Sequence, residues 1–578
     1  MRTLTVVVLI GWTSSLLAAG PFERPARTPV VTAAGRQGMV VSNCDIASQV
    51  GVEVLAEGGN AVDAAIAVGF ALTVTWPEAG NIGGGGFMMV APSDRDVVCI
   101  EYRETAPDAV EADSLSKWTN RRHERMVGVP GTVRGFWLAH QRYGTLPWKR
   151  LVEPAIKLAS EGIEADEFLA WTLNGILRQE DIQTDPRYAE FRRVFGPPDK
   201  QYWTAGDRLV QPDLGKTFTL IAERGADAFY EGPIAEQIVA QMKRGDGWIT
   251  LEDLKSYRAN HRPAIHAQIK GYDFYGAPLP SSGGTTVLME LRMLETLGVQ
   301  KSPDYFWSME HIHLMTEIMK RAFRERAAYL GDADFVDINP VVWSRDHAAQ
   351  LAQSIDPEQA TPSIELAGDI PVTRELYESP QTTHFSVIDE NGMGVSNTYT
   401  LEASYGSCVV VKGAGFLLNN EMGDFNPIPG RTDTEGRIGT QPNLMAPGKR
   451  MLSSQSPVII KQDGKVKLLV GSPGGRTIIN TVFEILVQTL FFERSLEDAV
   501  NGPRFHHQWF PDILHLESDL SLLPEDVQEG LKQRGQNLSV RESARQGSAH
   551  CIEVDLKSGV ATGVADWRRG GAAIAVKK

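Results

Sequence analysis

The chain has 578 residues, 42% hydrophobic and 22% charged, the composition of a globular protein with a real core. Lys and Arg number 57 against 72 Asp and Glu, and the formal charge of −15 argues against nucleic acid and anionic lipid as partners. The four cysteines, Cys44, Cys99, Cys408 and Cys551, show no CxxC spacing, which excludes a disulfide-built scaffold and the common zinc and thioredoxin-like motifs.

Length alone sets a loose prior of about four domains. Residues 1–20 read separately: Arg2, a short apolar run over 4–17, then Ala18-Ala19-Gly20 describe a secretory signal peptide. The run is too short to span a bilayer, which takes about 20 residues. The mature protein is therefore expected to be periplasmic or secreted, with no membrane span.

Two apolar-rich segments, 47–57 and 61–72, are split by Gly58-Gly59-Asn60. Gly ends the first helix and Asn caps the second, so a packed helix pair is expected. Strands are expected at 88–90 and 97–102, after the glycine run 83–86. The region from about 130 to 370 reads as largely helical, with a helix capped by Asp213 and ending near Gly225, and a long helix over 309–330. Beyond Pro380 strand signals take over at 384–388 and 394–401, joined by Asp389-Glu390-Asn391-Gly392; Asn-Gly between alternating runs marks a hairpin. Further strands are expected at 457–461, 466–470 and 549–554, with a helix over 477–491. Helices mixed with a strand-rich tail make this a layered α+β protein.

Several motif-like features carry no chemistry. Gly215-Lys216-Thr217 resembles the end of a phosphate loop, but Val210 stands where the first Gly is needed. The glycines at 83–86 lack dinucleotide-binding spacing and signal a close backbone approach, by another segment or a ligand. His311 and His313 are two apart on a helix and cannot share a face. No metal and no cofactor are expected.

Chemistry-bearing residues collect in the last third. Gln381-Thr382-Thr383 opens a strand whose hairpin partner carries Thr400, so Thr400 returns beside Thr382. Glu421 and Asp424 offer two carboxylates, and Ser453, Ser454 and Ser456 supply hydroxyls. Gly471-Ser472-Pro473-Gly474-Gly475 is a strand-to-helix turn whose N–H groups suit an oxyanion.

Ten strings resemble, in order, the γ-glutamyltransferase family of N-terminal-nucleophile hydrolases, also called glutathione hydrolases. They are GGNAVDAAIA, GNIGGGGFMMV, YRETAP, VGVPGTVRG, PSSGG, TTHFSVID, NNEMGDF, LSSQSP, GSPGG and PRFHHQ, and they cover almost the whole mature chain. The resemblance implies a four-layer αββα sandwich, one domain built from two segments. It implies a precursor that cuts itself between Gln381 and Thr382, giving a large segment 21–381 and a small one 382–578 that stay together as a heterodimer. Thr382 then matches the nucleophile, Thr400 its hydroxyl partner, and Gly474 and Gly475 the oxyanion-hole amides. Arg103 matches the arginine on the substrate α-carboxylate, helped by Ser453 and Ser454. Asp424 matches the acid on the α-ammonium, with Glu421 and Glu402 beside it. Residues 426–450 are long enough for a lid loop. Trp567 departs from the family pattern, where Pro is expected.

The implied activity is transfer of a γ-glutamyl group, from glutathione or a related small molecule, to water or to an amino-acid or peptide acceptor. The alternatives are a related acylase acting on a β-lactam side chain or polyglutamate, and a non-catalytic periplasmic amino-acid or peptide binder.

Overall fold

The computed structural model describes residues 22–25, 31–117, 120–197, 199–298, 306–373, 382–517, 523–541 and 545–577. The expected signal peptide and Gln381 lie outside the described residues.

Two seven-stranded sheets form the centre. The first runs, edge to edge, through Ala572–Ala575, Gly38–Ser42, Thr383–Asp389, Gly394–Thr400, Gly85–Ala91, Val98–Glu101 and Asn260–Pro263. The second runs through Val31–Gly35, Val560–Ala565, His550–Asp555, Lys465–Val470, Val458–Gln462, Tyr272–Gly276 and Ile265–Ile269. All their pairings are antiparallel, and both chain ends add strands to sheets made of distant segments.

Alternation of side chains along each strand explains the layering. In the first sheet Met39, Val41, Phe87 and Met89 face inward and meet Ile459, Leu469 and Ile552 of the second sheet. Their neighbours Val40, Met88 and Val90 face outward onto helices that include α1 (Asp45–Ala56) and α2 (Ala61–Thr75). Val458, Ile460 and Leu468 of the second sheet face the opposite way, onto the helices Ser282–Leu297, Met309–Tyr329 and Thr477–Leu486. The order is helix, sheet, sheet, helix. This four-layer α+β sandwich replaces the several domains that length alone suggests. Because both sheet faces are covered, the strands Gly85–Ala91, Thr383–Asp389 and Gly394–Thr400 are buried at every residue.

The helix pair forms as its cap signals indicate. Asn60 accepts from the Val62 and Asp63 amides at 2.9 and 3.0 Å, and Asp63 takes the Asn60 amide at 3.1 Å, closing a capping box. α2 is buried on every side, as a helix apolar all round must be.

Three expectations need correction. The middle region is not simply helical: 260–276 supplies three strands that edge both sheets. The helix Pro212–Arg224 opens on Pro212 with Gln211 as its cap residue, and Asp213 instead pairs with Arg193 and Lys216. The helix begun at Thr477 is α-helical only to Leu486 and widens to π-helix over Val487–Phe491, where the Phe492 amide reaches back to the Val487 carbonyl. Among the described residues no helix is long and apolar enough to cross a membrane.

Candidate active site

The hairpin of the first sheet sets the geometry. Thr383 pairs with Tyr399 and Ser386 with Ser396, so one register step further Thr382 faces Thr400. The turn is pinned by Asp389, which accepts from the Asn391 and Met393 amides. Its other oxygen accepts at 3.0 Å from the Ala61 amide at the start of α2, where a helix N-terminus favours negative charge. At the open end Thr383 Oγ1 donates to Asn43 Oδ1 at 2.7 Å, and Thr400 Oγ1 accepts from the Glu402 amide at 2.9 Å. Glu402 has φ +78°, a left-handed conformation uncommon for a side-chain-bearing residue and typical of functional loops.

Thr382 and Thr400 both line a cavity of about 1230 Å³. In the glycine run 83–86 the close backbone approach is to other segments of the protein. A Cβ on Gly83 would fall 2.0 Å from the Leu417 carbonyl oxygen. Asn419 secures this region: its amide nitrogen donates to the carbonyls of Gly83 and Gly128, both at 2.8 Å, while its oxygen accepts from the Gly128 and Glu421 amides.

Gly474 and Gly475 also line the cavity, on the turn between Lys465–Val470 and the helix Thr477–Leu486. Their φ values of +137° and +59° suit glycine, and the Gly474 carbonyl turns toward the helix to accept from Thr477 Oγ1 at 2.8 Å. Among the described residues neither glycine amide donates a hydrogen bond to protein. Paired amides at a helix start can stabilise an oxyanion.

The charged part of the cavity centres on Arg103, which is fully buried. Its Nη1 lies 2.7 Å from Glu421 and 3.4 Å from Glu104, its Nη2 lies 2.6 Å from Asp424, and its Nε donates to the Met451 carbonyl. Burial pushes Glu421 well above the ordinary carboxyl range and raises Glu104 as well, with Arg103 opposing in both cases. One guanidinium thus faces three acids. The Asp424 side chain is 35% exposed and meets the cavity directly. Glu402 has a different partner: Arg121 Nη1 lies 2.7 Å away and Arg121 Nη2 donates to the Gly423 carbonyl. The three carboxylates expected around an ammonium are therefore divided between two arginines.

Ser453 and Ser454 line the same space. The PSSGG segment holds them: the Ser282 amide and Oγ donate to the Ser453 carbonyl at 2.8 and 2.6 Å. Arg326 donates from Nε to Ser282 Oγ at 2.8 Å and from Nη2 to Ser454 Oγ at 3.0 Å. From the 426–450 segment, Thr434, Glu435, Arg437 and Ile438 line the cavity, and Arg476 donates to the Gly436 carbonyl at 2.8 Å, joining that segment to the glycine turn. Asn443 links the carbonyl of Asp424 to the amide of Leu452.

All ten residues given a role by the family resemblance line this one cavity, whereas Ser456 does not and its hydroxyl donates to the Ser454 carbonyl at 2.9 Å. Arg121, Arg326, Asn419 and Asn443 were not anticipated. Asn419 stood within a quoted string, whereas Arg121 and Arg326 sit in ordinary charged stretches that give no local signal.

His311 and His313 lie outside the cavity, whereas His506 and His515 are among its lining residues. His311 is buried on the helix Met309–Tyr329 against Phe306 and Phe492. His313 contacts the Asp356 carbonyl and Gln536. Among the described residues no group of three or more His, Cys, Asp or Glu is placed to hold a metal ion.

Residues 47–576 match the family model described as gamma-glutamyltranspeptidase. The chain is 39% identical over 570 residues to a glutathione hydrolase proenzyme of Escherichia coli, covering 96% of this chain and 95% of that one. It is 40% identical over 535 residues to a glutathione hydrolase proenzyme of Pseudomonas aeruginosa, covering 90% and 92%. Its structure resembles that of a cephalosporin acylase from Bacillus halodurans, with TM-score 0.83, 25% identity, and coverage of 96% of this chain and 98% of that one. Match of the family model to nearly the whole chain, at this identity to its members, is decisive: the chain belongs to the γ-glutamyltranspeptidase family.

Proposed function

We propose that this protein is an autoprocessing γ-glutamyl hydrolase and transferase that cleaves glutathione and related γ-glutamyl compounds through a γ-glutamyl ester on Thr382. The observation that carries this reading is the placement of Thr382, opposite Thr400, in a cavity that also holds Arg103, Asp424 and the Gly474–Gly475 turn.

In the precursor the nitrogen of Thr382 is an amide and has no basicity. Cleavage after Gln381 turns it into an α-amine, which titrates at about 7.7–8.0 and can serve as a general base. The Thr382 hydroxyl attacks the γ-carbonyl carbon and passes its proton to that amine. The oxyanion takes the Gly474 and Gly475 amides, and collapse releases the leaving amine, protonated by the Thr382 ammonium. Water or an acceptor amine then attacks the ester by the reverse route. Thr400 orients the hydroxyl. Arg103 takes the donor α-carboxylate, with Ser453 and Ser454, while Asp424, backed by Glu421 and Glu402, takes the α-ammonium. The existing contact between Arg103 and Asp424 supports this reading, since a zwitterionic head can insert between two groups that already attract each other.

The same proposal divides the chain into a signal peptide 1–20, a large segment 21–381 and a small segment 382–578, folded together in one sandwich and working in the periplasm or outside the cell. The experiment is N-terminal sequencing of the purified protein's fragments together with release of p-nitroaniline from a γ-glutamyl anilide. Two fragments and steady release support it; one uncut, inactive chain rejects it in favour of a binder.

A second reading, acylase action on an amide whose acyl group lacks an amino-acid head, is favoured by the structural likeness to a cephalosporin acylase. Faster turnover of a glutaryl anilide than of the γ-glutamyl anilide would select it.

A further inference from the structure

Glu402 and Asp424, two of the acids assigned to the donor ammonium, belong to segments that run side by side. The Asn420 amide donates to the Leu401 carbonyl at 3.0 Å, and its side-chain oxygen accepts from the Ala403 amide at 3.0 Å, so one residue brackets Glu402. Asn420 directly precedes the short turn Glu421–Asp424. The charges of Asp424 and Glu402 both act on Glu421, which puts the three acids in one neighbourhood.

A second tie joins the same two segments through a side chain that comes from far away in sequence. Arg121 donates from Nη1 to Glu402 Oε1 at 2.7 Å and from Nη2 to the Gly423 carbonyl at 3.1 Å. Its two prongs hold one acid by its carboxylate and the other by the peptide that precedes it. The guanidinium lies close over Gly423, where a Cβ would stand 3.2 Å from Arg121 Cζ. A planar fork can span two acceptors in this way, and a compact ammonium does so poorly.

The loop that carries Arg121 is anchored on both sides. Asn120 Oδ1 accepts from the Arg122 amide at 2.9 Å, and the Tyr188 hydroxyl donates to the Arg122 carbonyl. Just beyond, Glu124–Met126 forms a short turn, and Met126 packs with Met422, Phe425, Met445 and Met451 in a small apolar cluster. That cluster seats the Arg121 loop on the segment that bears Asp424 and on Met451, whose carbonyl Arg103 holds.

Arg103 therefore fixes Asp424 from one side, and Arg121 fixes the peptide before it and the carboxylate of Glu402 from the other. Glu402 is buried and has a left-handed backbone, so its carboxylate reaches the cavity from an unusual direction that a side-chain contact must maintain. Two carboxylates kept at one separation are preorganised for an ammonium, and a misplacement of about 1 Å is enough to cost much of such a contact.

We propose that Arg121 is a positioning residue for the donor ammonium: by clamping Glu402 to the Gly423 peptide it sets Glu402 and Asp424 as a pair on that group, and so makes the enzyme select acyl donors that carry an α-amine. This rests on the γ-glutamyl reading above.

The test compares γ-glutamyl-p-nitroanilide with glutaryl-p-nitroanilide, which lacks the α-amine and is otherwise the same. The readout is the ratio of their kcat/KM values on one preparation, so partial loss of folded enzyme cancels. Where the glutaryl donor turns over too slowly to measure, Ki values for glutamate and glutarate against the γ-glutamyl donor supply the ratio. Wild type should favour the γ-glutamyl donor. In Arg121→Gln the ratio should fall about tenfold, the size of one charged hydrogen bond, through a higher KM for the γ-glutamyl donor and little change for the glutaryl one. Arg121→Lys, which reaches one acceptor instead of two, should lose less. In a Glu402→Ala background Arg121→Gln should change the ratio little further, because the clamp acts through that carboxylate. A ratio unchanged in Arg121→Gln and Arg121→Lys, equal loss with both donors, or effects of Arg121→Gln and Glu402→Ala that simply multiply, overturns the clamp and leaves the γ-glutamyl reading standing. Wild type that prefers the glutaryl donor, or cleaves neither, overturns both.

Discussion

The carbonyl oxygen of Thr400 lies 2.0 Å from the point where a Cβ on Gly84 would stand. The strand bearing Thr400 is thus seated against a backbone with no side chain, and the Gly84 carbonyl accepts from the Gly131 and Thr132 amides on the far side. Neither neighbour can retreat. Gly84→Ala should cost at least the roughly 1–3 kcal/mol of an overpacked core and displace Thr400 from Thr382. Thermal denaturation should show the lower Tm, and gel analysis an accumulation of uncut chain.

Arg103 and Asp424 form one pair but should fail differently. Removing the partner of a buried charge costs on the order of 3–5 kcal/mol, so Arg103→Ala should lose two to three powers of ten in kcat/KM. It also strands Glu421 and Glu104 in the interior, so its Tm should fall. Asp424, partly exposed, should lose comparable kcat/KM on mutation to Ala with a smaller change in Tm. Arg103→Lys should recover little activity, because an ammonium cannot replace the fork that reaches Glu421 and Asp424 together. Autocleavage should survive in Arg103→Ala, since the scissile bond of the precursor presents no free carboxylate.

Arg326 acts through serines. It donates to Ser282 and Ser454, and Ser282 in turn holds the Ser453 carbonyl. Arg326→Gln should raise KM for the donor by about tenfold, the worth of one or two hydrogen bonds to a charged group, with kcat changed much less. Steady-state kinetics give that split; equal loss in both parameters would contradict a positioning role.

Three buried histidines make the fold acid-sensitive. Burial holds His550 down to about 4 and His311 to about 3, and holds His384 well below its ordinary value with the charge of His550 adding to the effect. In each case the folded value lies below the unfolded value of about 6.5, so the unfolded chain binds the proton first. Stability is fully present above pH 6.5 and is lost as pH falls toward 4, on the order of 3 kcal/mol for His550 alone. Tm measured between pH 7 and pH 4 should decline, and more gently in His550→Gln.

Much of this site was legible because its signals are local. Asn391-Gly392 marks the hairpin, Gly58-Gly59-Asn60 the helix junction, and the glycines 83–86 a close backbone contact. The strands at 260–276 were not, because the edge strand Asn260–Pro263 alternates between half-buried and exposed residues and carries no apolar run. The sheet positions of Val31–Gly35, Gly38–Ser42 and Ala572–Ala575 depend on partners hundreds of residues away, which periodicity does not report. Arg121 and Arg326 acquire meaning only through Glu402 and Ser454, which the fold brings to them.

The central claim is that Thr382 is both the site of cleavage and the nucleophile. Intact mass and N-terminal sequencing of wild type, Thr382→Ser and Thr382→Ala test it most directly. Wild type should yield a small fragment beginning at Thr382, and Thr382→Ser a fragment beginning at the new serine, formed more slowly. Thr382→Ala should remain one chain and release no p-nitroaniline. Efficient cutting of Thr382→Ala at the same bond, or a small fragment that begins elsewhere in wild type, would contradict the claim.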